Sequence, residues 1–202
     1  MTWIYWLGWI SLGSAFRAFY GLRIEGREHL VSEGAVLVAA NHQSYMDPPL
    51  LANLYDTPMF FLARKTLFRG FCNWLYRQWN AFPLDQEKPD LAGLKHIIRL
   101  LKSGERVAIF PEGSRTLDGS IAEAAPGVGF VAAKSGAIIQ PVRIRGAYEA
   151  LPRGVKFLRP SRISLTIGPV IRFSADELKQ AASDKGGYDL LAKRIMLAIH
   201  QL

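Results

Sequence analysis

Four short, mostly apolar runs punctuate the chain: residues 35–40 (AVLVAA), 58–63 (PMFFLA), 107–110 (VAIF) and 138–144 (IIQPVRI). Runs of this length bounded by turn residues read as strands buried on both faces. Helical patterns lie between them. Leu91, Leu94, Ile97, Ile98 and Leu101 recur at helical spacing after Pro89 and stop before Gly104, the clearest helix in the chain. Residues 127–134 read as a helix leading into the strand 138–144. Ser174 with Glu177 forms a capping box for a further helix, and residues 188–202 read as the last. Shorter strands are expected at 22–25, at 81–84, and at 162–171, broken at Gly168-Pro169. Strands alternating with helices predict an α/β fold: a mainly parallel or mixed sheet flanked by helices. With 202 residues, half of them apolar, there is material for one sizeable core and not for two.

The strand at 35–40 delivers residues 41–48, NHQSYMDP, in which His42 and Asp47 stand five positions apart. On a continuous helix that offset separates two side chains by about 140°, so they meet only if the chain bends between them. Pro48 disfavours helix at the residue before it, which puts Asp47 in a turn able to fold back on His42. A histidine held by a carboxylate keeps one ring nitrogen as donor and leaves the other to take a proton from a hydroxyl. Ser44 is near but lacks the Gly-x-Ser-x-Gly setting of a nucleophile elbow, so the hydroxyl activated belongs to a substrate. Without a second motif, His42 and Asp47 would read as helix and turn caps.

That second motif is FPEGSR, residues 110–115, again at a strand end and followed by the turn residues Asp118 and Gly119. The pair of motifs, in this order and about seventy residues apart, resembles the lysophosphatidate acyltransferase (glycerolipid acyltransferase) family. Its signature is Asn-His, four residues, Asp, then Phe-Pro-Glu-Gly-Ser/Thr-Arg. The resemblance runs over residues 22–152. It implies transfer of a fatty acyl group from a thioester to the hydroxyl of lysophosphatidate, with His42 as base and Asp47 orienting its ring. It also implies a binding site for the acceptor built from Asn41, Glu112, Gly113, Ser114 and Arg115. A guanidinium holds two phosphate oxygens at once, which makes Arg115 the natural phosphate ligand. Glu112 either holds Arg115 or meets a glycerol hydroxyl. Arg64 and Lys65, at the end of the strand 58–63, extend the phosphate site, and Arg143 and Arg145 either line the cleft or face solvent. The family's usual Phe-Pro-x-Asp-Arg is FPLDQ here, so Gln86 stands where an arginine for the acceptor phosphate is expected. The co-substrate is acyl-CoA or an acyl carrier protein thioester, with no cofactor or metal. Other lysophospholipids, an amino-acid lysolipid, or a non-catalytic lipid-binding role on the same fold are the alternatives.

Composition narrows the partners. A formal charge of +8 favours anionic surfaces, and no zinc-ligand spacing, RNP-like motif or basic helix with heptads points to nucleic acid. The four histidines have no metal-ligand spacing, and Cys72 stands alone, a small apolar filler. Gly127 and Gly129 do not follow a strand, which argues against a dinucleotide turn. The basic stretch 143–162 can receive an acyl carrier protein or lipid headgroups, or simply be solvated. Residues 1–16 carry no charged side chain but hold Trp3, Tyr5, Trp6 and Trp9. Arg17 interrupts them short of the about 20 apolar residues that span a bilayer, and the segment lacks the basic start of a signal peptide. It either packs on the domain's own core or lies in the membrane interface, where indoles prefer the headgroup boundary. The latter is preferred. Residues 67–79, with bulky aromatics among Arg69 and Arg77, suit a helical hairpin at a membrane surface, or amphipathic helices packed on the sheet. The expected division is a membrane-associating segment, 1–20, and an acyltransferase domain, 21–202, monotopic on the cytoplasmic face of the cell membrane.

Overall fold

The computed structural model describes residues 2–85 and 90–202. In chain order its elements are α1 (Trp3–Tyr20), β1 (Arg23–Glu25), β2 (Val36–Ala40), α2 (Asp47–Ala52), β3 (Phe60–Arg64), α3 (Gly70–Gln78), β4 (Ala81–Leu84) and α4 (Leu91–Lys102), then β5 (Arg106–Ile109), α5 (Gly127–Ser135), β6 (Ile138–Arg145), α6 (Ala147–Ala150), β7 (Ser164–Ile167), α7 (Ala175–Ser183) and α8 (Gly187–His200). The strands form one mixed sheet in the order β1-β7-β6-β2-β5-β3-β4. Every pairing is parallel except β6 with β7.

Strand β2 sits mid-sheet between β5 and β6, and all five of its residues are buried. Alternation of side chains along a strand splits them between two cores. Val36, Val38 and Ala40 join the side covered by α1, α2 and α6, while Leu37 and Ala39 join the side covered by α4, α5 and α8. Burying a Val or Leu side chain contributes about 1.5–3 kcal/mol, so an unbroken apolar run is what a strand with two covered faces requires.

Because β2, β3, β4, β5 and β6 run the same way, the loops after residues 40, 64, 84, 109 and 145 gather at one sheet edge, where open α/β sheets place ligands. The segment before β7 lies on that edge too, since β7 runs against β6.

Several expectations need correction. Residues 67–79 make one helix, not a hairpin: Arg69 is extended and Gly70 has φ 51°, so the chain breaks before α3 and only a 3-10 turn, Lys65–Leu67, precedes it. Asp47 opens the six-residue helix α2 rather than lying in a turn; the bend occurs just before it, and Pro48 sits where a missing N–H costs nothing. The strand foreseen at 162–171 is confined to β7, with a single bridge from Ile171 to Ile139 beyond Gly168-Pro169. Helix α4 is capped by Asp90, whose side chain accepts from Gly93 N at 2.8 Å. Pro89, expected at its start, and Gln86 lie outside the described residues.

Helix α1 buries Tyr5, Gly8, Gly13, Phe16 and Tyr20, and Trp9 Nε1 donates to Ala52 O at 2.9 Å. It still leaves Trp3, Leu7, Ile10 and Phe19 exposed. No helix among the described residues is long and apolar enough to cross a membrane.

Candidate active site

Two loops at the strand edge, after β2 and after β5, are bonded to each other. His42 N donates to Glu112 Oε1 at 2.6 Å, and Thr116 N donates to His42 O at 2.9 Å. The second oxygen of Glu112 accepts from Ala122 N at 2.9 Å. Glu112 thus holds both sides of the cleft through backbone N–H groups, and not Arg115. Its burial raises the carboxyl pKa, against the pull of the two backbone donors. Asn41 is fully buried, with Nδ2 donating to Ile144 O at 2.9 Å and Oδ1 accepting from Ile144 N at 2.7 Å. Both ends of its amide fasten the loop to β6, so Asn41 positions its neighbour.

His42 and Asp47 meet as expected. Nδ1 lies 2.7 Å from Asp47 Oδ2, and the same oxygen accepts from Gln43 N at 2.6 Å and Ser44 N at 2.7 Å. Those two backbone bonds close the bend that the five-residue offset demanded. Asp47 is fully buried and the His42 side chain is 17% exposed. Complete burial pushes the Asp47 carboxyl up, opposed chiefly by the hydrogen bond and charge of His42. The His42 ring lies flat on Phe110, centroids 3.9 Å apart and planes 13° apart, which fixes its tilt. With Nδ1–H donated to Asp47, Nε2 carries the lone pair. Ser44 is buried, and its hydroxyl donates to Leu151 O at 2.9 Å.

Gly113 turns the second loop with φ 72°, a conformation that favours glycine, and its N–H donates to Phe110 O at 3.0 Å. Ser114 is exposed beside it. The Arg115 guanidinium lies 3.5 Å from the centre of the Tyr45 ring, and burial lowers its pKa. Its Nη1 is buried without a hydrogen-bond partner among the described residues.

Arg64 and Lys65 line a separate basic cleft of about 530 Å³ with Arg69, Asn73, Arg77 and Asp85. Arg143 and Arg145 are not among the residues lining the hollow at His42, although the Glu112 carboxylate acts on the Arg143 charge. Arg143 donates to Ile199 O at 3.4 Å and Arg145 to Leu202 O at 2.7 Å, tying the end of α8 to β6. Two apolar hollows complete the edge. A cavity of about 490 Å³ lies between α1, α2, β3 and α3, lined by Trp9, Leu12, Pro48, Leu62 and Tyr76 among others. A smaller one, about 170 Å³, is lined by His42, Phe110, Leu62 and Leu84 among others. Leu62 is common to both hollows, and Leu84 to the smaller hollow and the basic cleft. Sequence reasoning missed the stacking of Phe110 and Tyr45. Both lie inside the two motifs, but nothing in the motifs says what their rings rest on.

Residues 21–145 match the family described as Acyltransferase. The chain is 32% identical over 149 residues to the 1-acyl-sn-glycerol-3-phosphate acyltransferase LPAT1, chloroplastic, of Arabidopsis thaliana, covering 72% of this chain and 41% of that one. It is 28% identical over 157 residues to the 1-acyl-sn-glycerol-3-phosphate acyltransferase of Bacillus subtilis, covering 73% and 72%. Its fold matches the crystal structure of the 1-acyl-sn-glycerophosphate (LPA) acyltransferase, PlsC, from Thermotoga maritima, with a TM-score of 0.72 at 26% identity, covering 98% of this chain and 78% of the other. The chain therefore spans about two fifths of the plant relative's length.

Proposed function

The chain belongs to the acyltransferase family, and from that premise we propose that it transfers a fatty acyl group from an acyl-CoA or acyl carrier protein thioester to the free hydroxyl of lysophosphatidate, giving phosphatidate. The observation that carries this reading is the 2.7 Å pair of His42 Nδ1 and Asp47 Oδ2, beside a serine whose hydroxyl is already committed to Leu151 O. The base is built; the hydroxyl comes from the acceptor.

His42 Nε2 takes the proton of that hydroxyl as its oxygen attacks the thioester carbonyl. The adduct collapses by breaking the C–S bond, and the thiolate leaves with the proton from the imidazolium. Asp47 keeps the ring in its tautomer and stabilises the imidazolium. Such assistance contributes about 10²- to 10⁴-fold. The Arg115 guanidinium, stacked on Tyr45, is assigned to the acceptor phosphate, with the basic cleft of Arg64 and Lys65, which shares Leu84 with the hollow at His42, as the alternative phosphate site. The larger apolar cavity is within the range of small-molecule pockets and suits a fatty acyl chain. The names of the relatives, each a 1-acyl-sn-glycerol-3-phosphate acyltransferase, favour lysophosphatidate as acceptor.

The membrane is the source of the acceptor in this reading. Trp3, Leu7 and Ile10 on α1 and Phe71 and Trp74 on α3 are exposed, an apolar surface suited to an interfacial protein. We place the protein as monotopic on the cytoplasmic face of the membrane.

A different acceptor, another lysophospholipid or an amino-acid lysolipid, is favoured by one observation, the neutral Gln86 where the family resemblance leads one to expect an arginine. Measuring thiol release and kcat/KM with lysophosphatidate, lysophosphatidylethanolamine, lysophosphatidylglycerol and an amino-acid lysolipid, in the wild type and Gln86→Arg, tests the assignment. Lysophosphatidate is expected to be the best acceptor. If it is the poorest and Gln86→Arg improves it selectively, the acceptor is another lipid. Lipid binding without turnover would favour a non-catalytic protein on this fold.

A further inference from the structure

Residues 151–162, LPRGVKFLRPSR, form an irregular loop on the sheet edge that carries His42. The loop is anchored along its length. Leu151 O accepts from Ser44 Oγ at 2.9 Å, Arg153 Nη1 donates to Arg115 O at 3.5 Å, and Arg159 N donates to Ala150 O at 2.9 Å. Beyond it, Ile163 N donates to Tyr20 O at 3.1 Å, joining it to the end of α1. Against this anchoring, its tip is bare: Phe157 is 81% exposed and Leu158 63%. Lys156 and Arg159 flank the pair, Arg153 and Arg162 are also exposed, and the loop contains no acidic residue.

We propose that this loop is a second membrane-contact element, in which Phe157 and Leu158 enter the boundary between headgroups and acyl chains while Lys156, Arg159 and their neighbours bind the phosphates of anionic lipids. The order of side chains fits the depth profile of an interface, apolar groups below and cations at phosphate level. Phe19, 79% exposed, precedes the Tyr20 whose carbonyl accepts from Ile163 N, so the element that the loop's end joins carries a bare aromatic as well. An acidic carrier protein would answer the cations but gives no reason for a bare Phe-Leu pair at the tip. Through Arg153 and Ser44 the contact sets the mouth of the site against the bilayer. The inference draws on the acyl-transfer reading only in taking the acceptor to be a membrane lipid.

The test uses the full chain, as wild type, Phe157→Ser/Leu158→Ser and Lys156→Gln/Arg159→Gln, with phosphatidylcholine vesicles made with and without phosphatidylglycerol. The apolar double variant is expected to bind both kinds of vesicle at least about ten-fold more weakly. The charge double variant is expected to lose about five-fold per cation, and only on anionic vesicles. Melting temperatures should match the wild type, and turnover of a monomeric short-chain lysophosphatidate should stay within about two-fold. Unchanged vesicle binding in both variants overturns the proposal. So does a raised KM confined to carrier-protein thioester, which would make the loop a protein-docking site. If the wild type shows no acyl transfer while vesicle binding still falls in the variants, the loop assignment stands and the catalytic reading fails alone.

Discussion

At the residue scale the site is a set of carboxylates doing different jobs. Asp47 touches the imidazole, whereas Glu112 touches backbone: His42 N and Ala122 N. In Glu112→Gln one of those N–H groups faces an amide nitrogen, and since Ala122 is exposed the loss is that of an ordinary hydrogen bond, about 0.5–1.5 kcal/mol. The variant is therefore less stable and its His42 less well placed. The sign of the pH dependence follows from burial, which raises the folded-state pKa of Glu112 above its unfolded value of about 4.3. Such a group contributes stability below the unfolded pKa and loses it as pH rises through the folded one. The lead of wild type over Glu112→Gln in urea denaturation should thus be larger near pH 4 than near pH 7; a lead that grows with pH contradicts the assignment. The His42–Asp47 pair was legible in the sequence because the bend that joins them is local. The roles of Asn41 and Glu112 were not, because their partners, Ile144 and Ala122, depend on which strands and loops become neighbours. Nor was the tethering of α8 by Arg143 and Arg145, which needs a helix far along the chain.

At the scale of elements, the apolar runs marked β2, β3, β5 and β6 clearly, since strands with two covered faces have little freedom in composition. Helix α2 escaped notice because six residues beginning Asp-Pro-Pro carry no helical period. The aromatic segment before β4 misled for a related reason: its composition describes a surface, while the hairpin-versus-helix choice rests on the backbone of Arg69 and Gly70. Gly129 shows how a glycine in a suggestive pattern acquires a different purpose. It lies inside α5, and a Cβ there would stand 1.8 Å from Tyr188 O and 3.2 Å from Ala192 N, both backbone atoms of α8. The glycine permits the close crossing of two helices. Gly129→Ala should accordingly destabilise by about 1–3 kcal/mol through overpacking, even though alanine gains about 1 kcal/mol in helix propensity. A chemical denaturation curve unchanged or shifted toward greater stability would show that α5 and α8 are not so closely packed.

For the whole molecule, α1 is both part of the core and a source of bare aromatic surface, so removing it confounds folding with membrane binding. Phe16 and Tyr20 are in the same buried cluster as β2 and β6, and truncation would open that core. The cleaner variant is Trp3→Ser/Leu7→Ser/Ile10→Ser, which changes exposed side chains only. It should bind vesicles at least about ten-fold more weakly than wild type with little change in melting temperature; a large fall in melting temperature with vesicle binding intact would place that face in the core instead. The sheet edge, the two loops bonded across it, the apolar hollows and the basic cleft converge on one claim, that His42 deprotonates a lipid hydroxyl for acyl transfer. The most direct measurement is acceptor-dependent thiol release from an acyl thioester in the presence of lysophosphatidate, comparing wild type with His42→Ala and checking the fold of each by thermal melting. The account predicts phosphatidate formation by the wild type and a loss of about 10²- to 10⁴-fold in His42→Ala at an essentially unchanged melting temperature. Near-normal turnover in a folded His42→Ala would contradict it.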